Sequence, residues 1–437
     1  MLSSAPAIRI RWRIFGFLFG FGFLAYIQQK TITVAAERMM PDLGLSQLQI
    51  GYIEQAFVIG YAIFQMPGGV IGQRLGARLT FVLIGLAAFA ATIATPIVPA
   101  FCSGTSLFAA LLITQLVLGL SQGAIFPVSA GVFEAWFPPR RWAFVQGLQT
   151  MGLNFGLALT PPLIVTLTLG LGWRRALIWA SLPALLFLAL WAWYGRNTPR
   201  EHPAMSAQEL EEIGSEPEPQ APIGLRQLVP LVGNRNVLLL FISYMCMNYT
   251  FYLLANWVFL YLVQERHFSS LDSSWLATLP PLAAAVGAGV GGLATGVFTQ
   301  RLGNRWGFRV VPLVAMSCAA LLLLLAVNAS GAYLAVAALA LCFLAVELTE
   351  GAFWGAGMTV GRADTMAVCG FMNTGGNLGG IIGIPIVAYF SGKHAWHTAF
   401  MIGVAFAIVS AAAWLAIEVE DSKHEAPGAL DAQAVSA

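Results

Sequence analysis

About 20 mainly apolar residues carry an α-helix across the hydrocarbon core of a bilayer, and this chain offers such a stretch again and again. We count twelve, at roughly 13–36, 49–71, 79–99, 106–133, 142–169, 174–194, 236–264, 275–299, 308–328, 331–358, 366–390 and 396–418. Between them little charge is left. Only 10% of the 437 residues are charged and 58% are hydrophobic, with a mean hydropathy of +0.76, whereas ordinary soluble domains carry about 25% charge. So few charges cannot coat a soluble surface, and so much apolar area would aggregate unless lipid took the place of water. The sequence therefore predicts an all-α integral membrane protein, with the lipid bilayer as its partner.

The charges that remain set the topology. The 22 basic and 20 acidic residues leave a net charge of +2, which offers no basic surface to a nucleic acid. Arg9, Arg11 and Arg13 precede a first apolar stretch that is too long for a signal-peptide core and lacks a small-residue cleavage site, so it is expected to stay as a membrane helix. With both termini cytoplasmic, 16 of the 22 Lys and Arg fall on the cytoplasmic side and five on the far side, leaving Lys30 inside a helix. That bias is the positive-inside distribution. The one long polar segment, 195–235, is rich in Glu, Pro and Ser and reads as a flexible cytoplasmic linker. It separates a bundle at 1–194 from a second at 236–418, and 419–437 reads as a flexible tail.

The two bundles repeat one another. GVIGQRLGAR from Gly69 aligns without gaps on GVFTQRLGNR from Gly296, SQGAIFP from Ser121 on TEGAFWG from Thr349, and GLQTMGLNFG from Gly147 on GFMNTGGNLG from Gly370. The offsets are 227, 228 and 223 residues, in the same order. A six-helix unit has been duplicated, and the halves are expected to lie side by side.

On these features the chain resembles the major facilitator superfamily of secondary transporters over nearly its full length. The marker is the loop after the second helix, Gly-x-x-x-(Asp)-Arg-x-Gly-x-Arg, present as Gly69, Arg74, Gly76 and Arg78 with Gln73 in place of the usual Asp. The resemblance implies twelve transmembrane helices in two pseudo-symmetric six-helix bundles, no cofactor and a monomeric protein in a bacterial-type inner membrane. It also implies a gating role for Arg74 and Arg78 and for their repeat mates Arg301 and Arg305. Alternatively, these arginines only fix topology. Within the superfamily the chain is similar to the anion:cation symporter group, which moves sugar acids and other organic anions. That likeness rests on PDLGLSQLQIGYIEQAFVIGYAIFQMPGG from Pro41, WFPPRR from Trp136, GWRRAL from Gly172 and PREHPAMSAQELEEI from Pro199.

The departures narrow the site. Where that group has Tyr-x-Asp-Arg in the first helix, this chain has Tyr26, Ile27, Gln28, Gln29 and then Lys30. The Arg and Glu usual in the fourth helix are Gln115 and Gln122. An amide does not titrate, so Gln122 cannot carry a proton. The intramembrane charges left are conspicuous, because each costs about 2.5–3.5 kcal/mol at a helix centre on insertion scales. Lys30 shares a face with Tyr26 and Thr33 and is the expected anion anchor, unless it snorkels to the far interface. Glu347 and Glu350 are three residues apart, and two carboxylates so close in a low dielectric should not both stay ionised, which suits proton coupling. A fixed ion pair with Lys30 or a hydrogen bond to a neighbouring helix is the structural alternative. Glu54 is a third carboxylate, able to pair with Lys30 or Arg38 or to face an outer vestibule. Glu134 is expected to pair with Arg140 or Arg141.

Uncharged polar residues complete the expected cavity wall: Tyr61, Asn154, Tyr252, Trp257, Asn373 and Asn377, with Tyr244, Asn248 and Asn256 beside them. The five cysteines lie singly in apolar stretches and the five histidines in loops or tails, leaving no nucleophile or metal constellation at membrane depth. No GxxxxGK[ST] loop supports direct use of ATP. The expected function is a secondary transporter of a small organic anion such as a sugar acid or carboxylate, coupled to H+, by alternating access. The alternative is an exporter of neutral, cationic or amphiphilic compounds.

Overall fold

A computed structural model describes residues 9–214, 231–268 and 276–419. The described helices are α1 (Ile10–Leu43), α2 (Gln47–Leu75), α3 (Ala77–Ile97), α4 (Gly104–Gly123), α5 (Ile125–Trp136), α6 (Trp142–Leu171) and α7 (Trp173–Tyr194). A short α8 (Ala207–Ile213) follows, then α9 (Arg235–Gln264), α10 (Leu279–Asn328), α11 (Ala332–Leu348), α12 (Glu350–Gly361), α13 (Thr365–Ser391) and α14 (Trp396–Ala416). In lipid a helix satisfies its own backbone, which an open strand cannot do.

Nine described segments are long and apolar enough to cross a membrane. One of them, the 50-residue α10, folds back at Gly303 and makes two passes. The less apolar α2 and α13, of 29 and 27 residues, supply two more. That gives twelve passes and places both described ends on one face, here called the terminal face. The sequence suggests an interruption between passes 8 and 9, but the structure turns there on a single residue, Gly303, with φ 72° and ψ 170°. Its repeat mate Gly76 turns α2 into α3 with φ 79° and ψ 153°. Only glycine adopts this region without strain, so the duplicated RLG tripeptide encodes the same corner twice.

Passes 4 and 10 are expected to be single helices, and each is broken instead, at Ala124 and Thr349. Near both breaks a hydroxyl turns back on its own helix: Ser121 Oγ donates to the Leu118 carbonyl at 2.8 Å and Thr349 Oγ1 to the Val346 carbonyl at 2.7 Å. Such bonds compete with the helical ladder.

The halves meet through α2 and α5 against α13, and through α6 against α10 and α12. The close approaches lie on the terminal side of the membrane's middle. A Cβ on Gly292 of α10 would stand 2.5 Å from the Ala143 carbonyl oxygen and 3.2 Å from the Gly147 Cα of α6, while Met366 of α13 fills a seat between Gly72 and Gly131. At the opposite face the end of α1 is tied to α7: Asp42 accepts bonds from Trp173 Nε1 at 2.8 Å and Arg174 Nη1 at 2.6 Å.

The segment after α7 corrects the expectation of a flexible linker in its first part. Residues 195–214 fold onto the terminal face. His202 packs edge-on against Tyr194 at 4.7 Å, and Trp136 Nε1 donates to the Asn197 carbonyl at 3.3 Å. The first turn of α1 has no side-chain cap of its own. Instead the Glu209 carboxylate of α8 accepts the backbone N–H of Ile10 at 3.2 Å and of Arg11 at 3.1 Å, where a helix N-terminus favours negative charge. Glu212 pairs with Arg9 and Arg11. The rest of the expected linker, 215–230, and the tail from 420 lie outside the described residues.

Candidate functional site

Two cavities lie between the halves. The central one spans about 460 Å³ of non-atom space, open solvent included, and is walled by Tyr26, Tyr61, Phe126, Thr150, Leu153, Tyr244, Asn248, Phe251, Tyr252, Glu347, Glu350, Trp354, Asn373 and Asn377. Both glutamates line it and both are buried, Glu347 closing α11 and Glu350 opening α12 on either side of the break at Thr349.

Each carboxylate is held by hydrogen bonds. Asn154 Nδ2 of α6, in the first half, donates to Glu347 Oε2 at 2.7 Å across the interface. Glu350 accepts from Tyr244 Oη of α9 at 2.9 Å and from Trp354 Nε1 at 2.8 Å. The fixed ion pair with Lys30 weighed from the sequence is therefore absent among the described residues, and hydrogen bonds to neighbouring helices stand in its place. A second bond between halves runs from Asn373 Nδ2 of α13 to Gln65 Oε1 of α2 at 2.8 Å, with Tyr61 beside both. Tyr252 Oη donates to Asn377 Oδ1 at 3.2 Å.

The floor on the terminal side is aromatic. Phe126 and Trp354, which are repeat mates in the matched SQGAIFP and TEGAFWG segments, meet with ring centroids 5.7 Å apart. The pseudo-twofold axis of the duplication therefore passes between these rings. Sequence reasoning missed Phe126, Trp354, Phe251 and Gln65 as site residues. Only the repeat alignment marked the first two, and nothing about the others distinguishes them from core positions.

The second cavity, about 810 Å³, extends from the first towards the opposite face and is lined by Tyr26, Gln29, Lys30, Thr33, Val34, Leu157, Pro161, Phe251, Tyr252, Ala255 and Asn256. Thr33 and Asn256 at its outer part are exposed. Tyr26, Phe251 and Tyr252 belong to both cavities and form the partition. Lys30 makes no ion pair or hydrogen bond among the described residues, and the carboxylate whose charge reaches it is Glu54 of α2. Lys30 thus faces the chamber and does not lie out along the interface.

Several expected site residues lie elsewhere. Gln28 and Gln122 line neither cavity, because they face into the first bundle and bond to each other, Gln122 Nε2 to Gln28 Oε1 at 3.1 Å. Gln115 is buried in α4, one face away from both cavities, with Oε1 unpartnered. Trp257 packs against the apolar core of the second half. Glu54 stands outside the cavity wall. The four arginines lie in different settings. Arg78 Nε and Nη2 donate to the Ala192 carbonyl near the C-terminal end of α7, at 3.2 and 2.5 Å, where cations are favoured. Arg74 is exposed, and Arg301 and Arg305 are exposed without partners among the described residues. In the second half Arg309, not Arg305, takes the corresponding anchor, donating to the Ile417 carbonyl at 2.9 and 2.7 Å. Glu134 pairs with neither Arg140 nor Arg141. It faces Thr365 and Asp364 at the start of α13, across the interface.

Comparison with known proteins agrees with this architecture. The family model described as Major Facilitator Superfamily matches residues 18–365. A probable sulfoacetate transporter of Cupriavidus necator is 28% identical over 431 residues, covering 96% of this chain and 97% of that protein. A hexuronate transporter of Bacillus subtilis is 27% identical over 85% of this chain and 86% of its own length. Among solved structures, the transporter FucP in its outward conformation superposes with a TM-score of 0.73 at 15% identity, covering 94% of this chain and all of that one. The proton:xylose symporter XylE gives 0.71 at 13% identity, over 93% and 96% of the two chains. At these identities the two structures speak for the fold alone.

Proposed function

The chain belongs to the Major Facilitator Superfamily and is a multi-pass membrane transporter, not an enzyme; on that premise we propose that it carries a small organic anion, coupled to protons, by alternating access. The observation that carries the reading is the composite cavity. A cation without a partner, Lys30, faces an outer chamber, and two buried carboxylates with no cationic partner face the inner one. A carboxylate in such surroundings readily holds a proton and releases it when its environment changes. The printed names of the relatives, a sulfoacetate and a hexuronate transporter, support an anionic cargo.

In this reading Lys30, Gln29 and Tyr26 receive the anion, and Tyr61, Tyr252, Asn373 and Asn377 contact its polar groups. Glu347 and Glu350 exchange the proton. The rocking units are residues 1–194 and 236–418 around the midplane site. Protonating Glu347 weakens the charge-assisted bond from Asn154, which links the two units. The basic bias of the sequence makes the terminal face cytoplasmic and the chamber periplasmic, in an inner membrane as expected for a chain with bacterial relatives.

The test is uptake into proteoliposomes with and without an inward proton gradient, using sugar acids, short carboxylates and sulfonates. Gradient-stimulated uptake should disappear in Glu350→Gln and Glu347→Gln, while counterflow of the same anion persists. Lys30→Ala should raise KM about tenfold or more, the scale of one lost charge-assisted contact. The exporter reading draws on the central cavity, which holds two carboxylates and no cation. Stabilisation of the protein by cationic compounds alone would favour it and sink the anion reading.

A further inference from the structure

We propose that the cargo carries a single acidic group and a hydroxylated or cationic far end, bound with its acidic group at Lys30 and that far end at Glu347 and Glu350, so that dianions of equal length are disfavoured. This inference rests on the organic-anion reading and narrows its substrate class.

The two cavities act as one elongated site, because Tyr26, Phe251 and Tyr252 touch both. Its ends differ in sign. Among the described residues Lys30 is the one cationic side chain lining either cavity, and it lies in the outer one, while both carboxylates lie in the inner one. Along α1, Lys30 is four residues beyond Tyr26, a rise of about 6 Å. A molecule that reaches both ends must therefore cross the tyrosine partition.

Chemistry at the inner end is set by unmet acceptors. An ionised carboxylate offers about four lone-pair sites. Glu347 holds one donor, Asn154 Nδ2, whereas Glu350 already holds Tyr244 Oη and Trp354 Nε1. Most of the unfilled capacity belongs to Glu347, and what fills it must donate: hydroxyls or an ammonium group. While either glutamate is ionised, a second carboxylate or sulfonate on the cargo would instead meet like charge, with no cation lining the inner cavity among the described residues to separate them. The glutamines at 28 and 122 sharpen this asymmetry, since they are bound to each other and bring no charge to either end.

The experiment compares six-carbon probes by thermal stabilisation of the purified full-length protein: glucuronate, a monoanion with a hydroxylated end, and 6-aminohexanoate, a zwitterion with an ammonium end, against galactarate and adipate as dianions. We expect the two single-acid probes to reach half-saturation at roughly tenfold lower concentration or better. Lys30→Ala should weaken that binding about tenfold or more, and Lys30→Arg should restore much of it. In Glu347→Gln the gap between the two probe classes should narrow. Dianions binding as tightly as the single-acid probes, or more tightly, in the unmodified protein would overturn the proposal while leaving an organic-anion transporter in place. Absence of stabilisation by any of the four acids would overturn both readings.

Discussion

Replacing Gly292 with alanine should bias the transporter away from the state described here. The new Cβ would lie 2.5 Å from the Ala143 carbonyl oxygen and 3.2 Å from the Cα atoms of Gly147 and Phe144, all of them backbone atoms of α6. Carbon contacts are comfortable at about 3.5–4.0 Å, so α6 and α10 would have to separate by roughly 1 Å. Overpacking of this kind costs about 1–3 kcal/mol. The cost applies only while the two halves touch on the terminal side, and a state that opens there escapes it. One decade in an equilibrium constant is about 1.4 kcal/mol, so the balance should move about 5- to 150-fold towards terminal-side opening. Cys369 reports the change, being fully buried in α13 near that interface. With the other four cysteines replaced by serine, maleimide labelling of Cys369 from the terminal side should accelerate in Gly292→Ala. It should not do so in Gly296→Ala, one turn along, where the nearest atom, the Arg140 carbonyl oxygen, is 3.4 Å away. Unchanged Cys369 labelling in Gly292→Ala, with transport at the unmodified rate, would refute the idea that this contact must part during the cycle.

Two further outcomes follow from the same geometry. Gly303→Ala should lower stability by about 1–3 kcal/mol, since its φ and ψ lie in a region open to glycine alone; Gly76→Ala should cost more, because its Cβ would also meet Asn197 Oδ1 at 2.7 Å. Thermal unfolding followed by tryptophan fluorescence checks both, with Gly16→Ala, which meets nothing within 4 Å, as control. The docking of α8 should depend on pH with a definite sign. The Arg11 hydrogen bond, aided by Arg9, holds the Glu212 carboxyl below its ordinary value, so its contribution is complete above the unfolded pKa of about 4.3 and is lost as pH falls through the lower folded value. Protection of the amides in 207–213, taken relative to their intrinsic exchange rate at each pH, should therefore be high from pH 5 to 8 and fall below about 4. Glu212→Gln should reproduce the low protection at pH 7, and equal protection in that variant would show that the ion pairs do not hold the helix.

Much of the fold was legible in the sequence because lipid leaves the backbone few options. An apolar run of sufficient length must be a helix, and the duplicated RLG and GxxxxGxN segments announce a twofold repeat whose corners and contacts recur in space. The candidate site was legible only in part. Glu347 and Glu350 stood out because charge is costly at that depth, and both line the central cavity. The glutamines at 28, 115 and 122 were drawn towards the cavity by family position, yet each faces the interior of its own bundle. A helix face is known from sequence only relative to its neighbours on the same helix. Lys30 and Gln28 sit two residues apart on α1 and point into different surroundings. Likewise Glu134, surrounded in sequence by arginines, meets Thr365 and Asp364 of the other half, because contacts across the interface carry no local signal.

By itself, then, the sequence determined that the chain lives in a bilayer, that it is a duplicated helical unit, and that four charges lie within the membrane. Local propensity and the cost of burying charge act on residues near in the chain, so a linear reading captures them. The tertiary structure alone decided which charges share a cavity, that Asn154 and Glu347 join the halves, that α8 caps α1, and that Tyr26 and Tyr252 divide the space between Lys30 and the glutamates. Those arrangements depend on how far each helix rotates and tilts when its apolar faces pack, and that rotation is fixed by contacts between residues hundreds of positions apart.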